Sequence, residues 1–315
     1  MKSVCVLIVT YNRKEYLEKL IFSILKQSVR PKSLIIFDNH STDGTQKMLI
    51  KKKYVVSESI TSENVFEDIK IKYYYSKENT GGSGGFHYGF HLALQEGADY
   101  IWAMDDDVLP ENDCLENLLN SVNEKIGVCI PCRTDDRYED YAIIDVDMKS
   151  PLKYSIKKRK KVISSRKLTE STILVKDMPF EGPLFDTNIV KKVGLPNEKF
   201  FIIFDDTEYA YRIQKFCDLC YVKNAVLHKQ IIPSNHYDNC IGWKEYYGFR
   251  NLFWFDREYG ETYLARRLRP ILNYFEMLCR SIVKRRMADM KVINRAWVDA
   301  KNSNMGKTIL PGEKF

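Results

Sequence analysis

The sequence predicts an α/β protein with a mainly parallel central sheet and a C-terminal helical extension. Over residues 1–130, short apolar runs alternate with segments whose apolar residues recur at helical spacing. Such alternation is typical of parallel sheets whose crossover connections are helices. From residue 242 onward the chain has helical character and is rich in aromatic residues, arginine and lysine. These two observations define the predicted architecture.

The composition is that of an ordinary globular protein. Of 315 residues, 44% are hydrophobic and 29% are charged, which excludes wholesale disorder, collagen and coiled coil. The net charge of +7 suits a phosphate-bearing ligand or an anionic membrane surface, but it is too small to indicate nucleic-acid binding. No apolar run is long enough to span a bilayer, and the apolar N-terminal run lacks a cleavage site. We therefore expect a cytoplasmic protein.

The first half of the chain contains five predicted strands. The first is expected at 4–9, and Asn12 is expected to cap the next helix while Glu15 reaches back to the Asn12 backbone. A second strand is expected at 34–37, whereas the polar residues 53–70 are expected to be irregular. The other predicted elements of this half are a strand at 71–75, a helix opened by the glycine run 81–85, a strand at 100–104, a helix at 111–123 and a strand at 127–130.

The second half is less regular. Residues 133–180 are charged and uneven, which indicates an insertion or hairpin region near an acceptor site. Order returns at 181–211, and 221–227 reads as a strand. We divide the chain into a domain at 1–241, with halves at 1–130 and 131–241, and an extension at 242–315.

Polar residues follow three of the predicted strands. They are Thr10-Tyr11-Asn12-Arg13, Asp38-Asn39 and Asp105-Asp106-Asp107. Ligands of open α/β sheets bind beyond the carboxyl ends of the strands, so these segments should converge on one cleft. In an extended segment Asp105 and Asp107 would point to the same side and could share a Mg²⁺ or Mn²⁺ ion, with Asp106 pointing elsewhere. A solvated acidic turn is the alternative.

Three further features could contribute to a site. The run Asn79–Gly85 fits neither a dinucleotide fingerprint nor a P-loop, so it is either a wall of the donor site or a flexible turn. Asp205, Asp206 and Glu208 follow an apolar stretch and could supply a general base with a raised pKa, or could simply favour a helix N-terminus. His228 is either a structural residue or a metal ligand that would favour manganese.

The order and spacing of these motifs, from residue 4 to about 255, resemble family 2 glycosyltransferases, which have the Rossmann-like GT-A fold. Within that family the motifs look most like those of bacterial galactofuranosyltransferases. They are the opening Val9–Arg13, then 38–45, 79–86, 104–107, 204–209, His228 and 246–251. The sequence departs from the family pattern at Phe204, where tryptophan is expected, and at Lys229, where an apolar residue is expected.

The resemblance implies that 1–241 is the catalytic domain, with 1–130 as its nucleotide-binding half and 131–241 as its acceptor half. It also implies a role for each matching residue. Asp38 should contact the uracil of a UDP-sugar, and Asp105, Asp107 and His228 should bind Mn²⁺ or Mg²⁺ under the diphosphate. Asp206 should be the catalytic base, with Asp205 and Glu208 positioning the acceptor. The remaining nucleotide-sugar contacts are assigned to Thr10, Tyr11, Asn12, Arg13, Asn79, Gly81, Gly82 and Asp106.

The expected activity is that of an inverting hexosyltransferase. It would move galactofuranose from UDP-galactofuranose onto a saccharide acceptor, expected to be lipid-linked, in cell-surface polysaccharide synthesis. The alternatives are a rhamnosyltransferase using dTDP-rhamnose and a non-catalytic sugar-nucleotide-binding module. The basic, aromatic segment 242–315 either packs on the catalytic domain or docks on the anionic inner face of the plasma membrane.

Overall fold

The computed structural model describes residues 2–232 and 241–313. The strands of the described residues are β1 (Val4–Thr10), β2 (Ser33–Asp38), β3 (Thr61–Phe66), β4 (Ile69–Tyr75), β5 (Tyr100–Asp105), β6 (Val108–Pro110), β7 (Ile126–Cys132), β8 (Tyr141–Val146), β9 (Lys160–Ser164), β10 (Thr172–Val175), β11 (Glu181–Asp186) and β12 (Asp218–Lys229). The helices are α1 (Lys14–Leu25), α2 (Thr45–Lys51), α3 (Gly81–Gln95), α4 (Cys114–Ser121), α5 (Ile156–Arg159), α6 (Thr187–Val193), α7 (Asp205–Ile213), α8 (Trp243–Tyr259), α9 (Tyr263–Val283) and α10 (Met287–Lys301).

One large mixed sheet organises the domain. Its strand order is β10-β12-β7-β11-β5-β1-β2-β4-β3, with β6 paired to β12. The pairs β5–β1, β1–β2, β2–β4 and β7–β12 are parallel, whereas β11 is antiparallel to both of its neighbours. The predicted α/β class with a mainly parallel core is therefore confirmed. The strands β8 and β9 form a separate antiparallel pair within the predicted hairpin region 133–180.

The central strands are buried on both faces. All seven residues of β1 are buried, as its continuous apolar run predicts. Helix α3 packs closely on β1, because a Cβ at Gly85 would lie 2.5 Å from the Val9 Cγ1 atom. The glycine run 81–85 is therefore the first turn of a packed helix, and its alternative interpretation as a flexible turn is wrong.

Two other local predictions are also wrong. Residues 61–66 form the edge strand β3 rather than irregular chain, antiparallel to β4. Asn12 does not cap α1: Arg13 occupies the cap position without a side-chain hydrogen bond, and Asn12 has a φ of 53°. The carboxylate of Asp43 accepts a hydrogen bond from the Lys14 backbone N–H at 3.0 Å. A side chain of the loop after β2 therefore pairs with a free backbone N–H group at the start of α1.

The extension beyond residue 242 is helical, as predicted. Helices α8, α9 and α10 share an apolar cluster that also contains Phe201 of the catalytic domain. In this cluster Tyr246, Tyr247 and Phe253 are fully buried, so α8 packs on the domain. The predicted domain boundary at 241 directly follows residues 233–240, which lie outside the described part of the chain, and it stays a prediction. No helix of the described residues is both long and apolar enough to cross a membrane.

Candidate active site

The loop after β1 is held by Asp106, the middle member of the aspartate triplet. Its Oδ2 accepts hydrogen bonds from the Thr10 hydroxyl at 2.7 Å and the Tyr11 backbone N–H at 3.3 Å, while its Oδ1 accepts one from Arg13 at 3.0 Å. Burial raises the pKa of Asp106 to about 6 despite the Arg13 charge. Asp106 thus points to the β1 loop, the contacts that the structure records for it are structural, and its contact with a sugar nucleotide stays a prediction.

Asp105 and Asp107 lie in a region of excess negative charge. Asp107 Oδ2 is 3.0 Å from the Arg13 guanidinium. Burial raises the pKa of Asp105 well above its usual range, and the charges of Asp107, Glu181 and Asp106 raise it further. Carboxylate oxygens are the donors that hard divalent cations prefer. The donor set and the uncompensated charge therefore fit a Mg²⁺ or Mn²⁺ ion.

His228 is not brought into a metal cluster with these two aspartates. Its Nδ1 lies 3.1 Å from Asp135 Oδ2, and its Nε2 lies 3.1 Å from Glu111 Oε1. Within residues 2–232 and 241–313, no group of three His, Cys, Asp or Glu side chains is arranged to hold a metal ion. Both ring nitrogens of His228 face other carboxylates in this arrangement, so its role as a metal ligand stays a prediction.

An ion-pair network beside the triplet was missed by the sequence analysis. Glu181 Oε1 lies 2.6 Å from Lys229 Nζ, and its Oε2 lies 2.6 Å from the Arg133 guanidinium. Arg133 also contacts the buried carboxylate of Asp140 at 2.5 Å. Burial raises the pKa of Glu181, but the charges of Arg133 and Lys229 bring it below its usual value. The departure from the family pattern at Lys229 was the only sequence signal of this network.

The ends of β1 and β2 and the start of α3 are joined by side-chain amides. Asn39 accepts hydrogen bonds from the backbone N–H and hydroxyl of Thr80, both at 2.9 Å, and donates to the Gly81 carbonyl at 2.8 Å. Asn79 Oδ1 accepts from the Gly81 N–H at 2.8 Å. On the other side, Asn12 Oδ1 accepts from the Thr42 N–H at 2.6 Å. The predicted convergence of the strand-end loops is therefore present.

Asp38 is completely buried beneath these loops. Its carboxylate accepts hydrogen bonds from the Ser41 backbone N–H at 2.7 Å and the Tyr73 hydroxyl at 2.8 Å. Burial raises its pKa in spite of these two bonds. The recorded contacts of Asp38 organise the loop after β2, and its contact with a uracil base stays a prediction.

The start of α3 touches a strained segment that precedes α7. Gly81 has a φ of 74°, and a Cβ at this position would lie 2.1 Å from the Phe201 carbonyl oxygen. The same oxygen accepts a hydrogen bond from the Ser83 N–H at 3.0 Å. By contrast, a Cβ at Gly82 would have no atom within 4 Å. Gly81 therefore permits a close contact between the two halves of the catalytic domain.

We call residues 200–204 the base loop, because it leads directly into Asp205 and Asp206. Phe201, Ile203 and Phe204 all have positive φ values between 66° and 77°, a costly conformation for such side chains. The Asn251 amide of α8 lies between 2.8 and 3.1 Å from three carbonyl oxygens of this loop, those of Phe200, Ile202 and Ile203. Arg250 donates to the Phe200 carbonyl at 2.9 Å. Helix α8 therefore fixes the strained loop.

Asp205 and Asp206 begin α7 as a close pair. Burial, followed by the charges of Asp205 and Asp177, raises the pKa of Asp206 well above its usual range. Burial also raises the pKa of Asp205 to about 6. The Thr207 N–H donates to Asp206 Oδ1 at 2.7 Å. A carboxyl group with a raised pKa can accept a proton near neutral pH.

Asp206 lines a cavity of about 190 Å³. Arg133, Lys160, Asp177 and Tyr221 also line it. A second cavity of about 230 Å³ shares Lys160, Asp177 and Thr207 with the first and extends towards α8. Lys160 Nζ contacts Asp177 at 2.5 Å, a pair that no sequence motif indicated. The two cavities give Asp206 access to a space in which a polar molecule could bind.

Glu208 is committed to structural contacts. It is buried, and its oxygens accept hydrogen bonds from Arg212 at 2.8 and 3.1 Å and from the Tyr259 hydroxyl at 2.5 Å. Arg212 in turn donates to the Leu195 carbonyl at 2.9 Å. These bonds tie α7 to α8 and to the loop after α6, and the acceptor contact expected of Glu208 stays a prediction.

Comparison with known proteins identifies the class to which this fold and site belong. The family model described as glycosyl transferase family 2 matches residues 5–181, more than half of the chain. The chain therefore belongs to family 2 of the glycosyltransferases, as its motifs indicated. Its curated relatives include galactofuranosyltransferases: it is 29% identical over 220 residues to galactofuranosyltransferase GlfT1 of Mycolicibacterium smegmatis and 26% identical over 218 residues to that of Mycobacterium tuberculosis.

Each of these matches covers 67% of this chain, but only 65% and 64% of the respective relative. The similarity to galactofuranosyltransferases that the sequence predicted is confirmed. Because about a third of each relative lies outside the match, the relatives' activity is carried to this chain only as a proposal.

Solved structures confirm the GT-A fold. A crystal structure of GalNAc-T7 with UDP, GalNAc and Mn²⁺ aligns with a TM-score of 0.58 and 12% identity, covering 90% of this chain and 57% of that one. A crystal structure of Staphylococcus aureus TarS 1-349 in complex with UDP aligns with a TM-score of 0.50 and 16% identity, covering 84% and 68%. At such identities the likeness concerns the fold.

Proposed function

We propose that this glycosyltransferase moves galactofuranose from UDP-galactofuranose onto a hydroxyl group of a saccharide acceptor, with inversion at the anomeric carbon. The observation that carries the proposal is the position of Asp206. This carboxyl group has a raised pKa, lines a cavity and begins a helix whose preceding loop touches the start of α3 on the donor side. The similarity to galactofuranosyltransferases supports the choice of sugar.

In the proposed reaction Asp206 acts as the general base. The acceptor hydroxyl lies in the cavity beside Asp206, which takes its proton as the oxygen attacks the anomeric carbon. The bond to the UDP oxygen breaks on the opposite face, through an oxocarbenium-like transition state. Asp205 contributes by its negative charge, which keeps the proton affinity of Asp206 high. Lys160, Asp177 and Tyr221 line the same cavity and would contact the acceptor.

The donor is proposed to lie along the strand-end loops. Thr10 to Arg13, Asn79, Gly81 and Gly82 would form its site, with Asp38 and Asp106 holding the loops from beneath. Asp105 and Asp107 would hold a Mn²⁺ or Mg²⁺ ion. Such an ion, when bound, stabilises the negative charge that grows on the departing diphosphate. Arg13, which contacts Asp106 and Asp107, brings a further positive charge to this place.

The acceptor is proposed to be lipid-linked, which would bring the enzyme to an anionic membrane surface as a peripheral protein. Two features of the extension support this part of the proposal. Helix α9 carries several exposed apolar side chains, and its charged residues are mostly basic. An amphipathic basic helix is typical of proteins that bind anionic membranes reversibly.

The test is the release of UDP or dTDP by the purified protein with a panel of saccharide acceptors. UDP-galactofuranose, UDP-galactopyranose and dTDP-rhamnose are compared in the presence of Mn²⁺, with and without a chelator. We expect release from UDP-galactofuranose alone, abolished by the chelator and restored by Mn²⁺. Release only from dTDP-rhamnose would identify a rhamnosyltransferase, and UDP binding without turnover on any acceptor would support a non-catalytic module.

A further inference from the structure

A large cavity lies away from the site above, among the three C-terminal helices. It has a volume of about 530 Å³ and is lined by residues of α8, α9 and α10 together. We call it the C-terminal groove. Its volume is within the range of ordinary ligand sites, which is roughly 300–1,000 Å³. The groove is therefore large enough to hold a phosphate-bearing head group.

The charge of the groove is positive. Four basic residues line it, namely Arg257, Arg266, Arg267 and Lys301, whereas Glu258 is its only acidic lining residue. In the part of the chain that the structure describes, none of the four forms an ion pair. Arg257 is held by a hydrogen bond to the Ala300 carbonyl at 2.7 Å. Unpaired guanidinium groups around a cavity are suited to phosphate oxygens.

One edge of the groove continues into an apolar surface. Ile271 lines the groove and belongs to a stripe of exposed apolar residues on α9. The stripe is formed by Leu264, Leu268, Ile271, Phe275 and Ile282, whose exposed fractions lie between 39% and 56%. The spacing of three or four residues between the first four places them on one face of the helix. A monomeric protein rarely exposes such a continuous apolar face to water.

We propose that this face of α9 lies on an anionic lipid surface and that the C-terminal groove binds the phosphate of a lipid. A free phosphate ion would match the four basic residues but would leave the apolar stripe in water. A neutral apolar partner would cover the stripe but leave the basic residues unmatched. A phosphate-bearing lipid satisfies both. The inference extends the proposed membrane contact and rests, to that extent, on the proposed function.

The experiment is co-sedimentation of the full chain with phosphatidylcholine vesicles, with and without phosphatidylglycerol. The double variant Arg266→Gln/Arg267→Gln removes two positive charges from the groove. Its control, Arg280→Gln/Lys284→Gln, removes two positive charges at the C-terminal end of α9, outside the groove, where Arg280 pairs with Glu276. We expect binding only to vesicles with phosphatidylglycerol. The groove variant should weaken it about tenfold or more, and the control several-fold less.

Three outcomes would overturn the proposal. Equal weakening by the two double variants would indicate diffuse attraction without a groove site. Complete displacement from vesicles by millimolar inorganic phosphate would indicate a site for free anions. Unchanged binding of Phe275→Ser would exclude the apolar stripe. Sugar transfer to a water-soluble acceptor should be unaffected in all these variants, so a failure of the proposed activity is seen separately from a failure of lipid binding.

Discussion

This protein contains two clusters of aspartates, one at the end of β5 and one at the start of α7. In the first, Arg13 contacts Asp106 and Asp107 directly at 3.0 Å. In the second, no ion pair reaches Asp205 or Asp206 within the described residues, since Lys160 contacts Asp177 instead. Burial raises carboxyl pKa values in both clusters, but the Arg13 charge lowers those of Asp106 and Asp107, whereas the charges of Asp205 and Asp177 raise that of Asp206 further. The first cluster is therefore suited to binding a cation, and the second to accepting a proton.

The largest effect that would test this comparison is expected from Asp206→Asn. Asparagine keeps the size of the side chain but cannot take the proton, so kcat should fall by roughly 10²–10⁴-fold. The affinity for UDP should stay within about twofold, because Asp206 belongs to the second cluster. The measurement is steady-state turnover together with calorimetric UDP binding. The control is Glu124→Gln, which removes an exposed carboxylate outside both clusters.

The dependence of kcat on pH tests the role of Asp206 in a second way. Because the base must be deprotonated, kcat of the native enzyme should rise with pH through the pKa of Asp206, which lies well above the ordinary carboxyl value. In Asp206→Asn this rise should disappear. Loss of UDP binding in the variant, or a pH profile identical to that of the native enzyme, would contradict the assignment of Asp206 as the base.

The second prediction concerns the cluster at β5. Asp107→Asn removes one charged oxygen donor, and a lost charge-assisted contact corresponds to roughly 10–100-fold in affinity. We therefore expect UDP affinity in the presence of Mn²⁺ to fall by about this factor, whereas affinity measured with a chelator should change little. Calorimetry under both conditions checks the prediction. A fall of the same size with and without metal would show that Asp107 acts through Arg13 rather than through a cation.

The two clusters also show how much of the site could be predicted from the sequence. Asp105, Asp106 and Asp107 follow a continuous apolar run, so their place at a strand end could be predicted from local pattern. The partners of these residues could not, because Glu181, Lys229 and Arg133 come from distant segments and meet only through strand pairing. Likewise the edge strand β3 was missed because its mostly polar sequence, Thr61–Phe66, lacks the apolar run of a buried strand. The local sequence pattern therefore predicts secondary-structure elements, whereas the contacts between distant segments depend on how the strands pair.

The third prediction concerns Asn251, a positioning residue for the second cluster. Asn251→Asp keeps the shape but replaces the donating amide, which serves three carbonyl oxygens, with an acceptor. Buried carbonyls without donors cost about 1–3 kcal/mol, so the free energy of unfolding should fall by about that amount. We expect kcat to fall about tenfold or more with UDP affinity unchanged. If the role of Asn251 were purely structural, the variant would be less stable but kcat per folded molecule would not change. Denaturant unfolding measures the stability, and active-site titration gives the number of folded molecules.

The smallest effect is expected where the two sides of the site touch. Gly81→Ala places a Cβ against the Phe201 carbonyl oxygen at a φ of 74°, so the base loop must shift and the free energy of unfolding should fall by about 1–2 kcal/mol. Gly82→Ala is the matched control, since its Cβ meets no atom within 4 Å and alanine favours a helix by up to about 1 kcal/mol. Thermal unfolding and kcat are measured for both. We expect Gly81→Ala to lower kcat about severalfold, because Gly81 contacts the base loop. Gly82→Ala should preserve stability and raise only the KM for the donor, because Gly82 is proposed to face the sugar nucleotide. Equal behaviour of the two variants would mean that the contact with Phe201 does not position the base.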